Sequence, residues 1–205
     1  MSDFILYSNK MSRGRIVHWM LEELALPYQV EWIAFGPRMK SRTYTEINPM
    51  GKVPALKHGE AIITETPAIL TYLADTFPDK CLIPPHASVE RAAFFRWMYF
   101  VAGPLESATS AKFMGWGPPE TTPTGTPAIG FLGYGSLALT LSTLENHLQQ
   151  SLYVCGEQFT AADIYLASHL NFSMMVANTI DQCPTFVEYV NRLNQRPAKL
   201  RADTA

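Results

Sequence analysis

The chain is poor in the features that most quickly assign a protein to a class. Only 17% of its 205 residues are charged and the formal net charge is −2, so there is no bulk electrostatic attraction to a nucleic acid. Lysine and arginine are scattered, and no run of five or more basic residues occurs. There is no stretch of eighteen apolar residues, so no membrane-spanning helix is expected. The segment MSDFILYSNK lacks the basic start and long apolar core of a secretory signal, which points to the cytoplasm. Cys81, Cys155 and Cys183 are odd in number and far apart, with no CxxC pair, so neither a disulfide framework nor a zinc site is expected. His18, His58, His86, His147 and His169 have no metal-binding spacing either.

What the chain does have is apolar content, 47%, enough for one large core or two smaller ones. Phe4–Ser8 reads as a buried strand, and residues 15–26 carry Ile16, Met20 and Leu24 at helical spacing before Pro27 closes the helix. Residues 28–34 alternate like a second strand. Residues 35–51 read as irregular with a short helix. Residues 53–57 and 61–64 form a hairpin pattern around His58-Gly59-Glu60, and residues 67–77 a helix opening on Pro67. After the proline-containing segment at 81–87 the character changes. Residues 88–102, 137–150, 160–176 and 184–194 are helical patterns without a convincing strand, the first of them ending at a Gly103-Pro104 break. An α/β domain at 1–80, a linker at 81–87 and an all-α domain at 88–205 follow. Between the first two helical patterns, GWGPPETTPTGTPAIG at 115–130 is too rich in Gly, Pro and Thr for regular structure.

Four short stretches carry chemistry. In GKVPAL, residues 51–56, Pro54 interrupts an apparent strand and has no N–H to give a ladder. A proline there would leave the backbone of Val53 free to pair with an extended peptide. In TETPAIL, residues 64–70, Thr66 reads as the N-cap of a helix whose first-turn amides suit a carboxylate, with Glu65 placed to take an ammonium group. In NKMSRGR, residues 9–15, Ser12 lies near a helix N-terminus that would favour a thiolate. In FTAADI, residues 159–164, Thr160 and Asp163 form a capping box with Phe159 and Ile164 as its staple, a structural feature.

In this order the stretches resemble the cytosolic glutathione transferase family, in particular bacterial members with a serine-type turn. INPMGKVPAL (47–56) resembles its cis-proline segment and ETPAILTYL (65–73) its γ-glutamyl-binding turn and helix. FTAADI resembles its capping box, and RPA (196–198) a common ending of its C-terminal region. The resemblance implies a thioredoxin-like α/β domain followed by an all-helical one, glutathione as co-substrate, no metal, and a homodimer with a detoxifying role. It implies that Val53 and cis-Pro54 hold the cysteinyl unit, Glu65 and Thr66 the γ-glutamyl end, and Lys40 or Lys52, with Arg38 in reserve, the glycyl carboxylate. Thr66 stands where the family usually has serine, and Met11 falls on the usual catalytic serine. Ser12 is therefore the expected thiol activator, with Tyr7 and Asn9 as alternatives. Tyr99, Phe100, Gly103, Phe113 and Trp116 are the expected contacts of a hydrophobic electrophile. Two other functions fit the same fold: a glutathione-dependent disulfide or peroxide reductase, and a non-catalytic scaffold.

Overall fold

Phe4, Leu6 and Ser8 alternate with Ile5 and Tyr7 along strand β1 (Phe4–Ser8), and the first three are buried. That alternation fixes which face of the sheet is packed. The computed structural model describes residues 3–117 and 119–204. Two units divide the chain: Met1–Ile83 with Asn194–Ala205, and Pro84–Leu193.

In the first unit β1 is central in a four-stranded sheet of order β2-β1-β3-β4. It pairs in parallel with β2 (Gln29–Trp32) and antiparallel with β3 (Ala55–His58), which pairs antiparallel with β4 (Ala61–Thr64). The parallel pair needs a crossover, and helix α1 (Gly14–Leu24) supplies it. Its Val17, Met20, Leu21 and Leu24 are fully buried, each contributing about 1.5–3 kcal/mol of apolar burial. The helix ends at Ala25, whose φ of 53° is left-handed, two residues before Pro27. Helix α3 (Thr66–Thr76) packs against α1 with Ile69, Leu70, Leu73 and Ala74 buried. The intervening segment forms a 3-10 turn at Pro37–Lys40 and a short helix α2 (Arg42–Thr45). There Tyr44, Met39 and Ile33 gather Tyr7, Ile47 and Val53 into a separate apolar cluster.

Three expectations change here. Strand β3 begins at Ala55 rather than residue 53, because Pro54 has no N–H for the ladder. Thr66 is not the N-cap of α3: Glu65 occupies that position and Thr66 is the first helical residue. Residues 194–205, grouped by the sequence with the helical segment, belong to the first unit. Helix α9 (Pro197–Thr204) lies on α1.

The second unit holds α4 (Glu90–Phe100), α5 (Glu106–Met114), α6 (Leu137–Leu148), α7 (Ala161–Met175) and all but the last residue of α8 (Pro184–Asn194). Gly103-Pro104 does not break the first of these rods. A π-turn at Val101–Leu105 carries α4 into α5, its wider ring making room for a proline that cannot donate and would crowd the carbonyl four residues back. Phe94, Trp97, Leu105, Leu144, Ile164, Leu170 and Phe186 form the core. Asp163 anchors it. Its carboxylate accepts from the Thr160 and Val154 amides and from the Thr160 and Tyr189 hydroxyls, at 2.7–3.1 Å. Residues 115–136 are largely irregular, with a bridge between Thr121 and Pro127 and a 3-10 turn at Ala128–Phe131. Pro118 lies outside the described residues.

Candidate functional site

The Val53–Pro54 peptide bond is cis. Just before it, the Lys52 carbonyl accepts from the Tyr44 hydroxyl at 2.7 Å and from Asn48 Nδ2 at 2.8 Å, so two side chains hold the approach to the bond. The N–H and C=O of Val53 make no hydrogen bond among the described residues. An unpaired N–H and C=O on one residue present an edge for one added strand residue. Gly51 sits nearby with φ 56°, and a methyl group there would lie 2.6 Å from the Met39 carbonyl. Lys40 donates to the Met50 carbonyl at 2.8 Å, which places its ammonium beside this segment. Lys52 is exposed.

Glu65 adopts φ 67° and ψ 120°, a conformation that non-glycine residues rarely keep. Holding a glutamate there costs about 1–3 kcal/mol, which the surrounding fold must supply. No side chain caps the first turn of α3, and Thr66 is buried there with a hydroxyl that makes no hydrogen bond among the described residues. The turn presents a carboxylate, a hydroxyl and open amides together, which is the set an α-amino acid end needs.

The turn between β1 and α1 is knit by Asn9. Its Nδ2 donates to the Ile33 carbonyl at 2.8 Å and its Oδ1 accepts from the Met11 amide at 2.9 Å. Its own carbonyl accepts from the Ser12 amide at 3.0 Å and the Ser12 hydroxyl at 2.8 Å. Ser12 Oγ in turn accepts from the Gly14 amide at 3.0 Å. The Ser12 proton therefore rests on the Asn9 carbonyl. It can swing to another acceptor without leaving that carbonyl bare, because the Ser12 amide stays on it. Asn9 has both amide ends engaged. Tyr7 is half-buried against Tyr44, and burial, then Glu31, pushes its hydroxyl pKa up. Met11 is exposed, and Arg15 is bound to Asp203 at 2.7 Å.

The five expected electrophile contacts lie on α4, the π-turn, α5 and the loop after it. Tyr99 and Phe113 are exposed, Phe100 packs edge-on against Trp97, and Gly103 lies on the π-turn. Trp116 lines a cavity formed by α5, the loop after it and the start of α6. Sequence reasoning missed this cavity and also Ser8, whose buried hydroxyl lies against Gly14. The Gly in SRGR was the available signal for that close approach. No group of three His, Cys, Asp or Glu side chains is arranged to hold a metal, and no helix is long and apolar enough to cross a membrane, among the described residues.

Residues 11–76 match the model of the glutathione S-transferase N-terminal domain and residues 135–197 that of the glutathione S-transferase C-terminal domain. Glutathione S-transferase GstA of Escherichia coli O157:H7 is 30% identical over 155 residues, covering 75% of this chain and 73% of that protein. Among solved structures, a glutathione transferase from Methylococcus capsulatus strain Bath superposes with a TM-score of 0.80 at 28% identity, over 98% of this chain and 97% of that one. A theta class glutathione S-transferase from Xanthomonas axonopodis pv. citri, solved with glutathione bound, gives 0.76 at 26% identity over 100% and 99%. The chain belongs to the glutathione S-transferase family. It is accordingly a glutathione transferase, an enzyme with glutathione as co-substrate.

Proposed function

We propose that glutathione lies along Lys52–Pro54 with its cysteinyl unit paired to the Val53 backbone. The γ-glutamyl carboxylate takes the open amides and hydroxyl at Thr66, and its ammonium group takes the Glu65 carboxylate. The glycyl carboxylate meets Lys40 or Lys52. The observation that carries this reading is the unpaired N–H and C=O of Val53, held in place by Tyr44 and Asn48.

The sulfur then lies at the turn 9–13, where Ser12 turns its hydroxyl from the Asn9 carbonyl toward the thiolate. Hydrogen bonding to the anion and the α1 N-terminus lower the thiol pKa, and the proton passes to water. The thiolate pair forms a carbon–sulfur bond with the electrophile, and the leaving group departs with the electrons of the bond it loses. Apolar residues of the helical unit, among them Tyr99, Phe100, Gly103, Phe113 and Trp116, receive the electrophile. A cytoplasmic homodimer with a detoxifying role completes the proposal, and sedimentation at micromolar concentration tests the dimer.

The test of the site is a glutathione titration of the wild type and Ser12→Ala, with affinity from calorimetry and thiolate from ultraviolet absorbance. Equal affinity with loss of the thiolate signal in the variant supports Ser12. An undiminished thiolate signal moves the role to Tyr7 or the turn amides. Absence of binding in the wild type overturns the reading.

A further inference from the structure

Two buried side chains donate to one atom, the Lys52 carbonyl oxygen: the Tyr44 hydroxyl at 2.7 Å and Asn48 Nδ2 at 2.8 Å. Together they fill both lone pairs of that oxygen. Each donor is anchored in turn. Tyr44 is packed in the apolar cluster with Ile33 and Met39. The Asn48 amide donates to the Tyr44 carbonyl at 2.9 Å, and Asn48 Oδ1 accepts from the Met50 amide at 3.1 Å. All of these residues belong to the first unit. Lys52 lies outside every strand and helix, so no ladder or helical turn requires its carbonyl to point this way.

The consequence falls on the next residue. Val53–Pro54 is the only cis bond among the described residues, so the Lys52–Val53 peptide is planar and trans. The C=O and N–H of such a peptide point in opposite directions. Drawing the Lys52 carbonyl onto Tyr44 and Asn48 therefore aims the unpaired Val53 N–H away from them. Two donors on the oxygen also polarise the peptide and make that N–H a stronger donor. With the carbonyl released, the peptide could turn about the bonds on either side, and a ligand would have to order it at the expense of affinity. We propose that Tyr44 and Asn48 are positioning residues for glutathione: sharing the Lys52 carbonyl, they aim the Val53 N–H at the cysteinyl carbonyl, and either donor alone keeps most of that aim. The inference rests on the placement of glutathione along Lys52–Pro54 and assigns what makes that edge ready to bind.

The test compares glutathione with γ-glutamylcysteamine, which keeps the carboxylate, ammonium, amide N–H and thiol but has no carbonyl to accept from Val53. Calorimetry measures both ligands on the full chain as wild type, Tyr44→Phe, Asn48→Ala and the double variant. Each single variant should bind glutathione about threefold more weakly, the effect of losing one of two neutral hydrogen bonds. The double variant should lose about thirtyfold, more than the product of the single losses, because the carbonyl then has no donor. The affinity for γ-glutamylcysteamine should be the same in all four chains. At saturating glutathione the bound thiol should keep its wild-type pKa in the double variant, whereas Ser12→Ala should change that pKa and leave affinity alone. Tyr44→Phe keeps its ring in the apolar cluster, and circular dichroism verifies the fold of each variant. Should the double variant fail to fold, the two single variants carry the same comparison of ligands. An equal loss for both ligands shows a merely structural role and overturns the inference, as does glutathione affinity that no variant diminishes. Failure of the wild type to bind glutathione strikes the underlying placement of the ligand, and the inference with it.

Discussion

Ser8 Oγ occupies the space where any side chain on Gly14 would begin: a methyl group built there would lie 2.0 Å from that oxygen. The contact brings the first turn of α1 down onto the end of β1 and so sets the height of the turn that carries Ser12. Gly14→Ala should cost about 2 kcal/mol through overpacking. Ser8→Gly in the same chain should recover most of it, since Ser8 Oγ and Cβ are the two nearest atoms. Urea unfolding of both single variants and the double variant measures the coupling. Additive effects would show that the two residues act independently.

His18 gives a pH dependence with a definite sign. It is buried on α1, stacked on Trp32 with ring centroids 5.5 Å apart, and its Nε2 has no hydrogen-bond partner among the described residues. Burial, then the charge of Arg15, lower its pKa, with Lys10 acting the same way and Glu22 opposing. The folded chain therefore holds His18 neutral where the unfolded chain would protonate it. Stability from this group is complete above the unfolded value near 6.5 and is lost as pH falls below it. The urea midpoint of the wild type should fall between pH 7.5 and 5.5. His18→Gln should show a smaller fall, whatever its stability at pH 7.5.

Asp163 is fully buried, and burial pushes its carboxyl pKa up even though four donors reach it. Asp163→Ala removes the acceptor from all four, including the Tyr189 hydroxyl and the Val154 amide, which share Oδ1. The expected loss is at least about 3 kcal/mol, the result of several buried donors left unpaired. Asp163→Asn should also destabilise, because one side of its amide would point N–H at a donor. Thermal unfolding that leaves either variant at the wild-type midpoint would contradict this account.

Arg196 holds Glu23 through two bonds, Nε to Oε1 at 2.6 Å and a terminal nitrogen to Oε2 at 2.9 Å, and Trp19 Nε1 adds a third donor at 2.9 Å. Glu23 has only 9% of its side chain exposed, so removing the guanidinium leaves a largely buried carboxylate with one neutral donor. Arg196→Ala should cost about 2 kcal/mol, below the range for fully buried pairs because Arg196 is partly exposed. Arg196→Lys should recover little of it, since an ammonium cannot make the two-pronged contact. Glu23→Gln in the Arg196→Ala background should restore part of the stability by removing the stranded charge.

The local rules carried the sequence reading wherever a few adjacent residues decide the outcome. Phe4–Ser8, the hairpin around Gly59 and the Thr160–Asp163 box depend on alternation, turn chemistry and capping, all written in short windows. The reading failed where distant residues decide. Pro104 looks like a helix break, yet packing of Leu105 and Val101 keeps the rod continuous through a π-turn. Thr66 looks like a cap, but the strained backbone of Glu65 takes the position, and no propensity predicts a left-handed glutamate. The direction of the Ser12 hydroxyl is set by the Asn9 carbonyl, a contact that no short window of sequence displays. The cavity at Trp116 joins residues between 108 and 137 across a loop without regular periodicity.

The docking of α9 on α1 has a consequence for synthesis. Arg15, Glu22 and Glu23 on α1 are engaged by Asp203, Arg201 and Arg196. In sequence terms the whole helical unit is an insertion within the first unit, between α3 and the α8–α9 junction. On the ribosome the sheet and α1 emerge early, but the surface of α1 stays uncovered until more than a hundred further residues have been made. The first unit begun is therefore the last to be finished. Interruption of translation anywhere in the helical unit leaves a sheet with its principal helix unsealed.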